Sequence, residues 1–480
     1  MSGPNQTAID QSFCQRFRVC LTGGNGSAPV VWISDQTDIS ILSYLSAVRG
    51  VRQLPTRISD EELEQKIADG FGSQGGAVTR LQSDAKNGSL NDEAKVDSII
   101  VKEINGIILD CIRKGASDIH FEPGERELLC RARLDGMLVE HKHLPREQVA
   151  ETLSRIKIMS GLDIAEKRRP QDGRIRFPVD DRTVDIRVSI IPTDFGEKAV
   201  LRLLDKQSLR LNLRELGFSP SQFQLFVERI ALPYGIILVT GPTGSGKTTT
   251  LYAVLQHLKS PAVNISTVED PIEYNLEGIS QTQVKPDINL TFAAMLRAIL
   301  RQDPNIIMIG EIRDRETLDI AIQASLTGHL VLSTVHTNSA VATVTRLLDM
   351  GAEPYLLASS LKLIVAQRLV RKLCQQCASN RLDDLYHTAA RKLVTTLTDG
   401  ARSSTGCSAC SSTGYRGRTA IYELLPIDEE ISVAINAGAS EQEILSLARR
   451  GGFQTMAETA STLVNSGVTC PIEVLRELGS

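Results

Sequence analysis

The chain has no basic excess: 53 lysines and arginines are outnumbered by 57 aspartates and glutamates, giving a formal net charge of −4 and a pI near 6.1. A protein that holds a nucleic-acid backbone electrostatically carries the opposite balance. Aromatics make up only 4% of the residues, and no basic or aromatic stripe stands in for the missing charge, so nucleic acid is not an expected partner. Long hydrophobic runs are also missing. No apolar stretch approaches the roughly 20 residues needed to span a bilayer, and the opening MSGPNQTAIDQSF lacks a basic segment followed by an apolar core. The expectation is a cytoplasmic protein that reaches a membrane only through partners. Internal repeats and low-complexity tracts are absent apart from one polar stretch described below. Of nine cysteines, Cys14, Cys20, Cys111, Cys130 and Cys470 are scattered, and the rest form two C-x-x-C pairs, a usage that fits a reducing compartment.

A length of 480 residues is too much for one ordinary domain, since about 150 residues per domain is the usual prior. Residues 1–75 carry a small apolar pattern (PVVWIS, ILSYLSAV, LEQKIADGF) that reads as a strand and two short helices. Residues 76–95 lie in the stretch rich in Gly, Ser, Asn and Asp and read as a linker. From 96 to 212, a helical period in IIVKEINGIILDCIRKG gives way to short alternating runs such as GRIRFPVDDRTVDIRVSIIP, the pattern of a small α+β domain with antiparallel strands. From 213 to 480 strands alternate with helices, starting with GIILVT, VNISTVED, NIIMIGE and HLVLSTVHT. That alternation predicts an α/β core with a mostly parallel, doubly wound sheet, whose ligand site lies at the carboxyl ends of the strands.

The run GPTGSGKTT at Gly241 to Thr249 follows one such strand and opens a helix, the context in which it counts as a phosphate-binding loop. Gly241, Gly244 and Gly246 let successive N–H groups turn toward a polyphosphate across Pro242, Thr243 and Ser245, and the helix N-terminus adds partial positive charge. Lys247 reaches the terminal phosphates, Thr248 offers a hydroxyl to Mg²⁺, and Thr249 completes the motif. ATP and Mg²⁺ are therefore the expected ligands. A glycine-rich turn that merely caps a helix is the bland alternative.

TVEDPIEY, at Thr267 to Tyr274, places Glu269, Asp270 and Glu273 at the same end of the sheet, where a carboxylate can orient or deprotonate the attacking water. Taken alone, EDP is also a common turn opening. IIMIGEIRD ends an apolar strand on Glu311, where an acid accepts from Mg²⁺-bound water. Arg297 and Arg301 in LRAILRQDP share one helix face, as charge carriers or as a solvated salt-bridged surface. His329 and His336 bracket HLVLSTVH; an odd spacing points them to opposite faces of a straight strand, so at most one faces the phosphates, and His336 at the carboxyl end is the better placed. Finally, Cys374, Cys377, Cys407 and Cys410 have the ligand type and spacing of a closed, structural Zn²⁺ site in a subdomain of about 370–425. A disulfide or redox pair is the alternative.

The order and spacing of KGASDIHFEP, RRPQDGR, GPTGSGKTT, TVEDPIEY, LRAILRQDPNIIMIGEIRD, TGHLVLSTVHTN, the two C-x-x-C pairs and GYRGRTAIYELL resemble the general secretory pathway protein E and type IV pilus extension ATPase family from about residue 96 onward. The resemblance implies a RecA-like ATPase core preceded by a smaller lobe, working as a homo-hexameric ring on the cytoplasmic face of the inner membrane beside platform proteins. By motif it makes Glu273 the catalytic glutamate and Glu311 the metal-side acid, and it brings Arg174, Arg187, Arg297 and Arg301 near phosphates. Residues 1–75 then stand for only part of the family's N-terminal partner-binding domain. The implied function is ATP-driven assembly of a secretion pseudopilus; the alternatives are a type IV pilus assembly ATPase, a nucleic-acid translocase or a nucleotide-gated scaffold without turnover.

Overall fold

In the computed structural model the described residues are Cys14, 18–22, 30–35, Thr37, 55–71, 91–204, 212–393 and 397–479. The chain divides into two units, Met1–Asn91 and Asp92–Ser480. In the first, β1 (Val19–Thr22) runs antiparallel to β2 (Val30–Ile33), which pairs in parallel with β3 (Thr56–Arg57). Helix α1 (Asp60–Phe71) follows, with Asp60, Glu61 and Glu62 in its first turn where they complement the helix dipole. Its Leu63 and Ile67 are buried with Cys14 and Cys20, with Trp32 packed against them. The strand in PVVWIS and the helix in LEQKIADGF are where the apolar pattern put them; the ILSYLSAV helix falls outside the described residues, as does most of the expected linker.

The second unit begins one residue into α2 (Asn91–Arg113), so Asn91 to Lys95 are helical where a linker was expected. Polar composition alone does not separate a linker from the start of a helix. Six antiparallel strands follow: β4 (Asp118–Pro123), β5 (Glu127–Leu134), β6 (Met137–Pro145), then α3 (Val149–Ser160), β7 (Gln171–Val179), β8 (Arg182–Thr193) and β9 (Gly196–Leu204). Their spatial order is β6-β5-β4-β9-β8-β7. Alternate residues such as Ile119, Phe121, Cys130, Val188 and Leu201 are buried against Ile104, Ile108, Leu153 and Ile156 of the two helices. The residues between them form a second face rich in charge, with Asp118, His120 and Glu122 on β4, Arg131 and Arg133 on β5, Arg187 on β8, and Lys198 and Arg202 on β9. A one-residue slip of any strand would exchange these faces, which is why the register is firm.

The remaining chain forms the core. After α4 (Pro220–Ile230) come β10 (Gly235–Thr240), α5 (Lys247–Leu258), β11 (Ile265–Glu269), β12 (Ser280–Gln283), α6 (Phe292–Ile299), β13 (Ile306–Ile309), α7 (Arg315–Leu326) and β14 (Leu330–Val335). Helices α8 (Ala340–Asp349) and α9 (Pro354–Ser360) lead to β15 (Leu361–Leu373), α10 (Asp384–Lys392) and β16 (Tyr415–Pro426). The sheet order is β12-β11-β13-β14-β10-β15-β16, and every neighbouring pair is parallel except β15 with β16. Strand β10 is buried along its whole length, as a parallel strand covered on both sides must be. Ile236 and Leu238 belong to the layer that holds Leu318, Ala321 and Val344, whereas Ile237 and Val239 belong to the one with Phe226, Leu251 and Leu255. The core is thus doubly wound, as the strand–helix alternation predicts.

Four short helices close the chain: α11 (Glu429–Asn436), α12 (Glu441–Arg450), α13 (Met456–Asn465) and α14 (Pro471–Leu478). Glu423 of β16, buried, accepts from the N–H groups of Ala340 at 2.9 Å and Met456 at 3.0 Å and so ties the starts of α8 and α13 to the sheet. The β15–β16 ladder runs from Leu363–Pro426 to Leu373–Tyr415. Most of residues 370–425 outside the 374–414 excursion therefore belongs to the core sheet, and the cysteine subdomain is narrower than its expected limits.

Candidate functional site

The carboxyl ends of β10, β11, β13 and β14 converge on a cavity of about 930 Å³ between the core and the charged face of the smaller lobe. Pro242 to Thr249 line it. Gly244 and Gly246 take φ values of 82° and 89°, a region open to glycine, and a Cβ on Gly246 would sit 2.8 Å from Gln367 Nε2. Gly241 lies behind the lining, where a Cβ would meet the Gln367 carbonyl oxygen at 2.3 Å. Gln367, on β15, donates Nε2 to the Ser245 carbonyl at 2.7 Å and accepts from Thr250 Oγ1 at 2.7 Å, so it braces the loop from the neighbouring strand. Nothing in the local sequence marks it, because the partners are far apart in the chain. Lys247 Nζ donates to the carbonyls of Gly241 at 2.8 Å and Pro242 at 3.0 Å. Burial pulls its pKa down while the nearby Glu311 carboxylate opposes the shift. A glycine cradle of this kind, with a buried lysine at its base, fits a polyphosphate.

The three carboxylates of TVEDPIEY separate by environment. Glu269 is buried and accepts from the Tyr252 hydroxyl, from Thr267 Oγ1 at 2.6 Å and from Gln281 Nε2 at 3.0 Å, which makes it a bracket between β11, α5 and β12. Asp270 and Glu273 are more open and also line the cavity. Glu273 Oε2 lies 3.1 Å from Arg187 Nη1, and Arg187 Nη2 donates to the Ile272 carbonyl at 2.8 Å. Across the cavity Glu311 is bonded by Arg313 and has His336 Nε2 at 3.5 Å. His329 stays at the other end of β14 with Nδ1 2.8 Å from the Ala324 carbonyl oxygen, outside the cavity lining.

The four arginines singled out in the sequence do not gather. Arg187 meets Glu273 as described, but Arg174, its register partner on β7, is exposed and does not line the cavity. Arg297 pairs with Glu316 at 2.6 Å, and Arg301 Nη1 donates to the Arg297 carbonyl at 2.9 Å; both are solvent-facing and outside this cavity. The cavity is lined instead by Arg133 and Arg202 of the lobe and by Arg313, Arg368, Arg371, Arg418 and Arg476 of the core. Strand alternation places Arg133 and Arg202 on the charged face, yet only the register against Asp118 shows that they meet.

The four C-x-x-C cysteines meet where β15 ends and β16 begins. Their Sγ atoms all lie within 4.8 Å of one another, with Cys374–Cys407 and Cys377–Cys410 at 3.9 Å and Cys407–Cys410 at 3.8 Å. A tetrahedron with Zn–S bonds of about 2.3 Å has S–S edges of about 3.8 Å, so the set is compatible with Zn²⁺. The N–H groups of Cys407 and Gly414 each approach Cys410 Sγ at 3.2 Å; against the desolvation of burial they favour the thiolate, the form that binds metal.

Residues 93–476 match the family described as Type II/IV secretion system protein. The chain belongs to that family. It is 47% identical over 461 residues to the Type II secretion system protein E of Pseudomonas aeruginosa, covering 93% of this chain and 91% of that one. Identity to the Type II secretion system ATPase E of Vibrio cholerae is 42% over 486 residues, covering 97% and 95%. Among solved structures, the pilus retraction motor PilT with bound ADP shares 27% identity at a TM-score of 0.53, covering 78% of this chain and 96% of that one. Family, fold and relatives agree on a type II secretion ATPase. Among the described residues of this ATPase, no helix is long and apolar enough to cross a membrane.

Proposed function

We propose that this secretion ATPase hydrolyses Mg²⁺-bound ATP in the cavity between lobe and core, as a hexameric ring at the cytoplasmic face of the inner membrane, and that turnover drives pseudopilus assembly. The supporting observation is the convergence of Lys247, Glu273 and Glu311 on one cavity beside the glycine loop. Bound Mg²⁺ would draw charge from the β and γ phosphates, and Thr248 and Glu311 are the residues to hold it. Lys247 Nζ exchanges its loop carbonyls for phosphate oxygens. Glu273 accepts the proton of the attacking water, and Arg187 keeps that carboxylate from swinging away. His336 sits beside Glu311 and helps orient it. Steady-state phosphate release tests the reading: turnover should require Mg²⁺ and be indifferent to added DNA, and DNA-dependent turnover would favour a nucleic-acid translocase.

Arg174, Arg297 and Arg301 are exposed and lie off this subunit's cavity, which supports a role toward a neighbouring subunit in the ring. The rate of hydrolysis should then rise more than linearly with protein concentration, and inactive Lys247→Ala subunits mixed with wild type should change the activity of their neighbours. If specific activity is flat on dilution and the mixture merely averages, the subunits work independently.

The cysteine cluster is read as one structural Zn²⁺ that clamps the β15–β16 hairpin, whose Gln367 braces the phosphate loop and whose Arg418 lines the cavity. Protein purified without chelator should contain about one zinc per chain, and Cys374→Ser or Cys410→Ser should release it. Elemental analysis showing no zinc in the wild-type protein rejects the site.

A further inference from the structure

Asp118 stands at the start of β4, with its carboxylate nine-tenths buried, directly opposite Arg133 on one flanking strand and Arg202 on the other. Arg202 Nε donates to Oδ1 at 3.0 Å, Arg133 Nε lies 3.4 Å from Oδ2, and Ser117 Oγ donates to Oδ2 at 2.8 Å. All of these residues line the cavity that the phosphate loop faces. Two guanidinium groups on strands either side of β4 would repel each other and turn to solvent without the carboxylate between them. Arg202 uses only Nε on Asp118, and its two Nη groups make no other hydrogen bond among the described residues. Among the described residues nothing competes with a phosphate for them.

A comparison within the same strand separates this cluster from ordinary sheet chemistry. Two turns of the pleat further on, Glu122 holds Arg131 at 2.6 Å and Lys198 at 2.7 Å, again one cation from each flanking strand. None of those three residues lines the cavity. The β4 face thus carries two similar ion clusters, only one of which opens on the nucleotide loop.

We infer that Asp118 is a positioning residue for ATP hydrolysis: it fixes Arg202, restrained alongside Arg133, so that the free end of the Arg202 guanidinium meets charge that builds on the phosphates during transfer. This rests on the reading of the cavity as the ATP site. It assigns a purpose to the SDIHFEP segment that sequence alone marks only as part of a family pattern. Because the arginine end is felt most as phosphate charge develops, the effect belongs in kcat more than in KM.

The test compares four full-length variants, one of them double, by steady-state turnover, by binding of a fluorescent ATP analogue with Mg²⁺ and by thermal melting. Asp118→Asn keeps the shape and one acceptor but loses the charge; it is expected to lower kcat about tenfold with KM within about threefold. Glu122→Gln removes the matching cluster and is expected to leave both constants within about twofold of wild type, whatever it does to melting. In an Arg202→Ala background, Asp118→Asn should cost less than about twofold, since the residue it positions is already gone. Wild-type kcat in Asp118→Asn, an equal loss in Glu122→Gln, or a full tenfold loss in the Arg202→Ala background each overturns the assignment. Should Asp118→Asn melt early, the background comparison at a lower temperature still decides. Failure of the ATPase reading would show separately, as wild-type protein without turnover or turnover untouched by Lys247→Ala.

Discussion

Lys247→Ala should lower ATP turnover by roughly 10³-fold or more while the protein still folds, because it removes the one preorganised cation at the base of the phosphate loop. The lysine is buried, and its Nζ already satisfies two loop carbonyls, those of Gly241 and Pro242. Deleting it leaves those carbonyls to water entering from the open cavity, so the cost to stability is modest and melting should shift by only a few degrees. Binding of ATP should weaken as well, since the ammonium contacts phosphate in ground and transition states alike. The measurement is phosphate release by purified protein matched to wild type in melting temperature. Turnover at the wild-type rate in such a sample would remove the catalytic core of the account.

Glu273→Gln should bind ATP nearly as wild type does and hydrolyse it about 10² to 10⁴ times more slowly, the usual loss when a general base is removed. The amide keeps the shape and can still accept from Arg187, so the lobe contact survives and the defect is confined to proton transfer. Glu269→Gln is the informative comparison. Its carboxylate accepts from Tyr252, Thr267 and Gln281 in a buried setting, where an amide must point a donor at one of those donors. That variant should lose melting temperature and lose turnover only in proportion to unfolding. A slow but fully stable Glu269→Gln beside a nearly normal Glu273→Gln would reverse the assignment within this acidic motif.

The contrasting surroundings of Glu269 and Glu273 mark where sequence reading stops. Both are carboxylates in one short segment at the end of one strand, and no spacing rule tells a bracket from a base. Their difference comes from what packs against each: Tyr252 from α5 and Gln281 from β12 for the first, Arg187 from the other lobe for the second. The arginines teach the same lesson more sharply. Their charge can be read off the chain, but the two that line the cavity from the lobe, Arg202 and Arg133, are brought to Asp118 by strand pairing across long separations.

What the chain dictates by itself is whatever depends on neighbours in sequence. The phosphate loop is legible because strand, glycines, lysine and helix are consecutive. The four cysteines are legible because two short pairs already set the donor type. The doubly wound core follows from apolar runs alternating with helical periods, since a strand covered on both sides must be apolar throughout. Tertiary structure alone decided which distant side chains complete the site: Gln367 behind the loop, Arg187 on Glu273, and Asp118 between its two arginines. Those contacts depend on the register of the sheets and the docking of the lobe on the core. Both are set by the summed burial of many apolar residues rather than by any local motif, so they become visible only once the whole chain has packed.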